Sequence, residues 1–377
     1  MPERPSLSMD KYLSLFIFIA CYAGFIFLPR LRPYCACAGA LLLVLLGAMG
    51  PKEALFAVNW NVMGIFVGTL VVVELFMLSR MPAYLAELLV NRAGNVCWAM
   101  FFVCGLTSFL SAFVGNVATV LIVAPIAIAI AKRMKVSPAP FLISLAVCSN
   151  LQGTATLIGD PPSMILAGYM KMTFNDFFFY HGRPSIFFAV ELGALASFVV
   201  LYLLFKKYQQ PVEVIEVERV SSWVPTGLLV LLVVLLALSS FIDPGFGYLA
   251  GVICMVLGLL GLAWYKLNEG DEIVGLLRVL DWHTTFFLIG VFIVVGGLRS
   301  AGWIDDTAYL MKRICGDNLL VAFLLIVWLS VLFSAFIDNV PYLLAMIPVA
   351  QHLGQEIEGS FILLVFGLLV GACLGGN

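Results

Sequence analysis

Long apolar segments alternate with short polar connections along almost the whole chain. Most of these segments approach the roughly 20 residues that a helix needs to cross the hydrocarbon core of a bilayer. The pattern therefore predicts an all-α polytopic membrane protein. The predicted apolar helices are 11–28, 35–50, 62–79, 96–114, 117–134, 141–158, 161–170, 185–205, 223–241, 246–265, 282–298, 319–337, 341–353 and 360–374.

Composition supports the same class. Of the 377 residues, 63% are hydrophobic and only 11% are charged, against about 25% charged in ordinary soluble domains. The net charge of −2 argues against nucleic acid as a partner. The nine cysteines and three histidines show no metal or redox spacing, so we expect no cofactor. The first apolar run lacks a small-residue cleavage site, which indicates a first span rather than a cleaved signal.

Two halves of the chain repeat each other at an offset of 222–223 residues. The segment SAFVGNVATVLIVAP at 111–125 aligns with SAFIDNVPYLLAMIP at 334–348. The paired positions are Trp60 with Trp282, Gly68 with Gly290, Asn116 with Asn339, Pro125 with Pro348 and Gly153 with Gly376. An ordered set of pairs at one offset predicts two structural repeats.

Basic residues then predict how the repeats are oriented. Arg92 precedes the helix pair at 96–134 and Lys132 and Arg133 end it, and basic loops favour the cytoplasm. This assignment makes Arg30 and Arg32 cytoplasmic and places the second repeat upside down, as in many secondary transporters. The predicted organisation is 1–58, N-terminal transmembrane helices; 59–205, first inverted repeat; 206–222, cytoplasmic linker; 223–280, connecting transmembrane helices; and 281–377, second inverted repeat.

The polar segment SNLQGTATLIGDPPS at 149–163 interrupts an otherwise apolar stretch. Irregular backbone at membrane depth is tolerated only where it is buried in protein or lines a cavity. We predict a broken helix that ends near Cys148 and resumes at Pro161. Carbonyls at the first end could coordinate a cation and N–H groups at the second an anion, with Asp160 adding a charge. The alternative is a tight turn between two ordinary spans.

Two polar tips join apolar arms, one at Gly115-Asn116 and the other at Asp338-Asn339. Each pair of arms is either a re-entrant hairpin or two full spans. Asp338 is a functional candidate because an ionisable group at membrane depth costs on the order of 3 kcal/mol. Glu74 and Glu191 also lie in predicted spans, as proton sites or as partners of neighbouring groups such as Arg80.

The segments AFVGNVATVLIVAPIAIAIAK, SNLQGTATLIGDPPSMIL and AFIDNVPYLLAMIP resemble the ion transporter superfamily, and most closely its ArsB/NhaD permease branch. That branch contains arsenical pumps, NhaD-type antiporters and P protein-like permeases under a citrate transporter-like domain. The resemblance implies two inverted halves, each with a re-entrant hairpin and a broken helix, and a substrate held between the tips. The binding residues that the resemblance implies are Asn116, Asn150, Gly153, Thr154, Thr156, Asp160 and Asn339. The full set of predicted site residues adds Thr119, Gly159, Asp338, Gly375, Gly376 and Asn377.

The chain departs from this family's pattern in two ways. The sodium–dicarboxylate branch has Ser-Asn-Thr at each tip, whereas this chain has Gly115-Asn116-Val117 and Asp338-Asn339-Val340. The first tip thus lacks the two hydroxyls that would hold a carboxylate, and the second tip gains a carboxylate of its own. An added carboxylate suits a cation or proton better than a dianion. In addition, the offset aligns Asn377 with Thr154, so we expect a C-terminally truncated second repeat that lacks half of the site and does not transport by itself.

The resulting prediction is a secondary active transporter that moves an inorganic ion by alternating access, either arsenite-type oxyanion efflux or sodium–proton exchange. A citrate or dicarboxylate symporter is the alternative, and a non-transporting membrane fragment is the alternative of another class. Enzymatic activity is not expected, since no His-Glu-x-x-His motif occurs. The expected partners are a small ion, Na⁺ or H⁺ as coupling ion, and the lipid bilayer. A homodimer is possible, as is an ATPase for an arsenite-type pump. The expected location is the plasma membrane of a prokaryote.

Overall fold

The computed structural model describes residues 7–211, 217–269, 273–357 and 361–376. Residues 212–216 of the predicted linker lie outside the described residues, as does the predicted site residue Asn377. Helices make up most of what is described. The all-α class predicted from the apolar segments is confirmed.

The first part of the chain forms a series of helices and one 3-10 turn. These are α1 (Leu7–Phe27), a 3-10 turn at Pro29–Leu31, α2 (Arg32–Leu45), α3 (Pro51–Ala57), α4 (Trp60–Leu78), α5 (Met81–Arg92), α6 (Val96–Ser111), α7 (Asn116–Arg133), α8 (Ala139–Gly153) and α9 (Pro161–Met170).

The second part adds a short hairpin and further helices. These elements are a 3-10 turn at Asn175–Phe177, β1 (Phe179–Tyr180), β2 (Arg183–Pro184), α10 (Ile186–Phe205), α11 (Val224–Ile242), α12 (Leu249–Glu269), α13 (Ile273–Val279), α14 (Trp282–Ser300), α15 (Trp303–Cys315), α16 (Leu319–Ser334), α17 (Asn339–Glu356) and α18 (Phe361–Gly375). The strands pair antiparallel, with Phe179 opposite Pro184.

Each predicted apolar segment contains a helix, but four further helices were not predicted. They are α3, α5, α13 and α15. A search for long apolar runs misses such helices because they are short or amphipathic. In α15, for example, the charged Asp305 and Asp306 of the first turn share the helix with the buried Ile304 and Met311.

Helix lengths separate the apolar helices into two groups. Among the described residues, seven helices are long and apolar enough to cross a membrane: most of α1, then α4, α7, α10, α11, α12 and α14. The apolar helices α6, α8, α16 and α18 are shorter, with 15 or 16 residues. Sixteen residues rise only about 24 Å, less than the roughly 30 Å core. These four lengths suit helices that end within the membrane.

The chain forms two compact units. One comprises Met1–Met63, Gly168–Met170 and Asp281–Gly376, and the other Gly64–Ala167 and Lys171–Leu280. In the first, α14 packs against α1 and α2, and α16, α17 and α18 pack on one another. In the second, α6, α7 and α8 form a mutually packed group flanked by α5 and α10, while α11 packs on α12.

The offset read from the sequence recurs in the helix ends of these units. Helices α6 and α16 both end at a serine, and α7 and α17 both begin at an asparagine, each 223 residues apart. Asn95 caps α6 by accepting from the Trp98 N–H, and Asn318 caps α16 by accepting from the Val321 N–H. The inverted relation of the repeats and the domain boundaries stay predictions.

The loop between α11 and α12 is shaped by Asp243. Its carboxylate accepts backbone hydrogen bonds from Gly247, Tyr248 and Leu249 at 3.0–3.1 Å. These bonds, first among them the one from Gly247, hold the pKa of the Asp243 carboxyl below its usual value. The ionised form therefore stabilises the loop above the unfolded pKa of about 3.9, and this contribution is lost as pH falls through the lower folded pKa.

We expect Asp243→Ala to unfold at a lower temperature than the wild type at neutral pH, with the difference vanishing on acidification below about pH 4. The difference is small because the Asp243 side chain is partly exposed, so solvent screens its charge. Thermal unfolding of both proteins in detergent across this pH range measures it. A difference that stayed constant down to about pH 3 would contradict the assignment.

Candidate functional site

The break after α8 lies later than predicted. Helix α8 continues to Gly153, so the expected end near Cys148 is wrong, whereas the restart at Pro161 is confirmed. Ser149 stays helical because its hydroxyl donates to the backbone oxygen of Asn116 at 3.1 Å rather than competing for its own backbone. The helix ends at Gly153, because the next N–H, that of Thr154, bonds to the Leu151 carbonyl three residues back and not to the carbonyl four residues back.

One side chain, Asn116 at the start of α7, holds the break together. Its Nδ2 donates to Asn150 Oδ1 at 2.9 Å and to Asp160 Oδ2 at 3.0 Å. Its Oδ1 accepts from Ser111 Oγ at 2.8 Å. Because Ser111 ends α6, a single amide joins the α6–α7 tip, the last turn of α8 and the residue that precedes α9.

The two glycines of the break lie where no side chain fits. A Cβ at Gly153 would overlap Asn116 Oδ1. A Cβ at Gly159 would lie 2.5 Å from the Gly153 oxygen and 3.0 Å from the Ala112 oxygen. The irregular segment is thus folded tightly against the α6–α7 tip, which gives its irregular backbone the protein surroundings that membrane depth requires.

The threonines of the site direct their hydroxyl protons to backbone carbonyls. Thr119 Oγ1 donates to the Val114 oxygen at 3.0 Å and Thr154 Oγ1 to the Leu151 oxygen at 2.7 Å. Thr156 Oγ1 donates to the Ala112 oxygen. All three side chains are buried. They shape the backbone of the tip and the break, and direct ligation by them stays a prediction.

The first turn of α9 is poor in anion-binding groups. Pro161 and Pro162 have no N–H, and the Ser163 N–H donates to the Asp160 oxygen at 3.0 Å. A helix N-terminus attracts anions chiefly through its free N–H groups. The expectation that this turn holds an anion therefore finds no donor at these three positions.

The tip between α16 and α17 repeats the same hydrogen bonds. Ser334 Oγ donates to Asn339 Oδ1, as Ser111 does to Asn116. Ser334 also bonds the Ala372 oxygen at 2.5 Å, and Ser111 bonds the Ser149 oxygen at 2.7 Å.

Of the two glycines after this tip, Gly376 packs as its counterpart Gly153 does. A Cβ at Gly376 would lie 2.6 Å from Asn339 Oδ1, and one at Gly375 would lie 2.5 Å from the Val331 oxygen of α16. The second tip therefore has the same glycine–asparagine contact as the first.

Asp338 differs from its counterpart Gly115 because it carries a charge. Its Oδ1 accepts from the Val340 N–H at 3.1 Å and caps α17, and its Oδ2 accepts from Arg32 Nη1 at 2.9 Å. The propagated orientation places Arg32 on the cytoplasmic side, and the structure shows that its side chain pairs with Asp338 at this tip. The side of the membrane on which Arg32 lies stays a prediction.

Several residues of the site were missed by the sequence analysis. Ser111 and Ser334 had a signal, since each opens one of the two aligned repeat segments. Arg32 had none, because it lies 306 residues from Asp338. Gln152 was also missed, and its Nε2 donates to Glu191 Oε1 of α10 at 3.0 Å.

Of the two carboxylates predicted within spans, Glu191 is thus linked to the last turn of α8. Arg80, suggested as a partner of Glu74, instead pairs with Glu218 at 3.6 Å.

Comparison with known proteins identifies the class to which these features belong. Residues 22–371 match the family described as Citrate transporter. An uncharacterized transporter of Mycobacterium tuberculosis is 28% identical over 377 residues, covering 97% of this chain and 86% of that protein. The P proteins of mouse and human are 26% and 25% identical, covering 92% and 99% of this chain but 52% and 55% of their own lengths.

The bacterial relatives point to a plasma membrane as the location. The resemblance drawn from the tip and break motifs is confirmed. Because the family match spans most of the residues, this chain belongs to the citrate transporter family and is a multi-pass membrane transporter.

Proposed function

We propose that the protein is a secondary active transporter in which Na⁺ or H⁺ binds at the cluster of Asn116, Asn150 and Asp160. Binding there is coupled to the movement of a small ion by alternating access. The observation that carries the proposal is the Asn116 amide, which bonds Asn150 at 2.9 Å and Asp160 at 3.0 Å across a helix break. Discontinuous helices are where many transporters hold their coupling ions.

The chemistry of the cluster favours a cation. Carboxylate, amide and backbone carbonyl oxygens are the ligands that hard cations prefer, and the end of α8 adds carbonyls with a partial negative charge. Two prolines at the start of α9 remove N–H donors that an anion would need. A proton on Asp160 would satisfy the same carboxylate.

Sodium–proton exchange and oxyanion efflux are the two first candidates for the transport activity. Citrate-type symport is the alternative, because the matching family is described as Citrate transporter. The Asp338 carboxylate at the second tip, in the place of a Ser-Asn-Thr hydroxyl, favours the first candidates. Transport rather than catalysis is part of the proposal.

Replacing Asp160 by asparagine tests the proposal. We expect Asp160→Asn in the full-length protein, reconstituted in vesicles, to abolish flux driven by a sodium or pH gradient. The asparagine amide can neither carry the charge that attracts a cation nor release a proton. Asp338→Asn is expected to do the same, and both variants should still insert into the membrane. The readout is ion flux under each imposed gradient.

Asp317→Asn is the matched control, since it makes the same chemical change at a side chain that is 89% exposed. It should transport as the wild type does. Normal flux in both Asp160→Asn and Asp338→Asn would overturn the site assignment. The absence of any gradient-driven flux in the full-length wild-type protein would overturn the proposed function itself.

A further inference from the structure

An ion pair lies at the tip between α16 and α17. Arg32, the first residue of α2, donates from Nη1 to Asp338 Oδ2 at 2.9 Å and from Nε to the Phe25 carbonyl of α1 at 3.1 Å. The arginine is thus anchored at one end to the last turn of α1. At its other end, Nη1 bonds the Asp338 carboxylate, which also caps α17.

The hydrogen bonds that shape the tip do not require this ion pair. The first tip makes the equivalent bonds from Ser111 to Asn116 and to the Ser149 oxygen, although Gly115 stands in the place of Asp338 and has no side chain. The charged pair is therefore an addition to a scaffold that both tips share. An addition of this kind calls for a role beyond holding the tip in shape.

The pair is also poised to open. The Arg32 and Asp338 side chains are 32% and 31% exposed, so the protein does not enclose either partner on all sides. Arg32 would remain hydrogen-bonded to Phe25 after leaving Asp338. A released Asp338 would keep its bond from the Val340 N–H and present a free anionic oxygen.

We propose that Arg32 is a tethered cation that competes with the coupling cation for Asp338. This inference rests on the proposed function, because it takes the coupling ion to be a monovalent cation. One positive charge replaces another at the carboxylate, so the tip never holds a bare negative charge in the membrane. Arg32 thereby sets how much coupling ion is needed to occupy the second tip.

Competition makes a prediction that a structural brace does not. If Arg32 occupies the carboxylate in most molecules, only the remaining fraction can bind the ion, and the apparent affinity is lowered by that fraction. Removing Arg32 should therefore strengthen ion binding. A brace, by contrast, would leave ion binding unchanged or weaken it when removed.

Sodium-dependent stabilisation of the purified full chain in detergent measures this directly. The thermal unfolding midpoint is recorded at one neutral pH against NaCl, with choline chloride holding ionic strength constant. We expect Arg32→Gln to reach half of its sodium-induced shift at a concentration about tenfold lower than the wild type. Asp338→Asn removes the carboxylate, so it should lose the sodium-induced shift that comes from binding at Asp338. The double variant Arg32→Gln/Asp338→Asn should lose the same part of the shift and show no gain from the loss of Arg32.

Arg30→Gln is the matched control. Arg30 lies two residues before Arg32, its side chain is exposed, and the substitution removes the same charge. Its sodium response should equal that of the wild type. The inference is overturned if Arg32→Gln needs the same or more sodium than the wild type, or if the gain persists in the double variant. It is also overturned if sodium stabilises none of the proteins.

A sodium response that Asp160→Asn removes but Arg32→Gln leaves unaltered would refute the tethered cation and preserve the proposed function. Failure of all gradient-driven flux in vesicles would refute the proposed function instead.

Discussion

Replacing Gly153 by alanine is expected to abolish transport and to lower the free energy of unfolding by about 1–3 kcal/mol. The added Cβ would overlap Asn116 Oδ1. Asn116 cannot yield without giving up its bonds to Ser111, Asn150 and Asp160. The methyl group therefore separates the tip from the break, and the proposed cation ligands move apart.

The measurement is gradient-driven flux in vesicles, together with the unfolding midpoint in detergent. Gly105→Ala is the control, since Gly105 also lies in a helix of the same unit but its nearest new contact would be Phe198 Cζ at 3.9 Å. That substitution should leave flux unchanged and stabilise helix α6 by up to about 1 kcal/mol. If Gly153→Ala transported at the wild-type rate, the close contact between Gly153 and Asn116 would not be required for transport.

The second large effect is expected from Gly68→Ala in α4. A Cβ at this position would overlap the backbone of Cys254 in α12, and a Cβ at Gly258 of α12 would lie 3.2 Å from the Gly68 oxygen. Backbone cannot change rotamer, so the two helices would have to separate along their contact. We expect a loss of at least about 1–3 kcal/mol in the free energy of unfolding, seen as a lower thermal midpoint.

Gly227→Ala is the matched control for this substitution. Gly227 lies in α11, and a Cβ there would meet nothing within 4 Å. It should be neutral or slightly stabilising, since alanine is the better helix former. Equal unfolding midpoints for the two variants would show that α4 and α12 do not pack as closely as the structure has them.

The sequence by itself determined the class of the protein, most helix positions and the residues Asn116, Asp338 and Asn339 of the two tips. Insertion into a bilayer depends on the apolar character of each local segment, so apolar runs predict helices without knowledge of the fold. The repeat offset paired Asn116 with Asn339 and Gly153 with Gly376. It did so because equal local geometry at the two tips requires equal residues at equal spacing.

Only the tertiary structure decided where α8 ends and what Asp338 contacts. The polar residues Ser149 and Asn150 suggested an early break, yet their partners on another helix allow the backbone to stay helical up to Gly153. The bond between Arg32 and Asp338 joins residues 306 positions apart. A contact of that separation leaves no periodic trace in the chain, because it depends on how helices pack and not on the residues beside it.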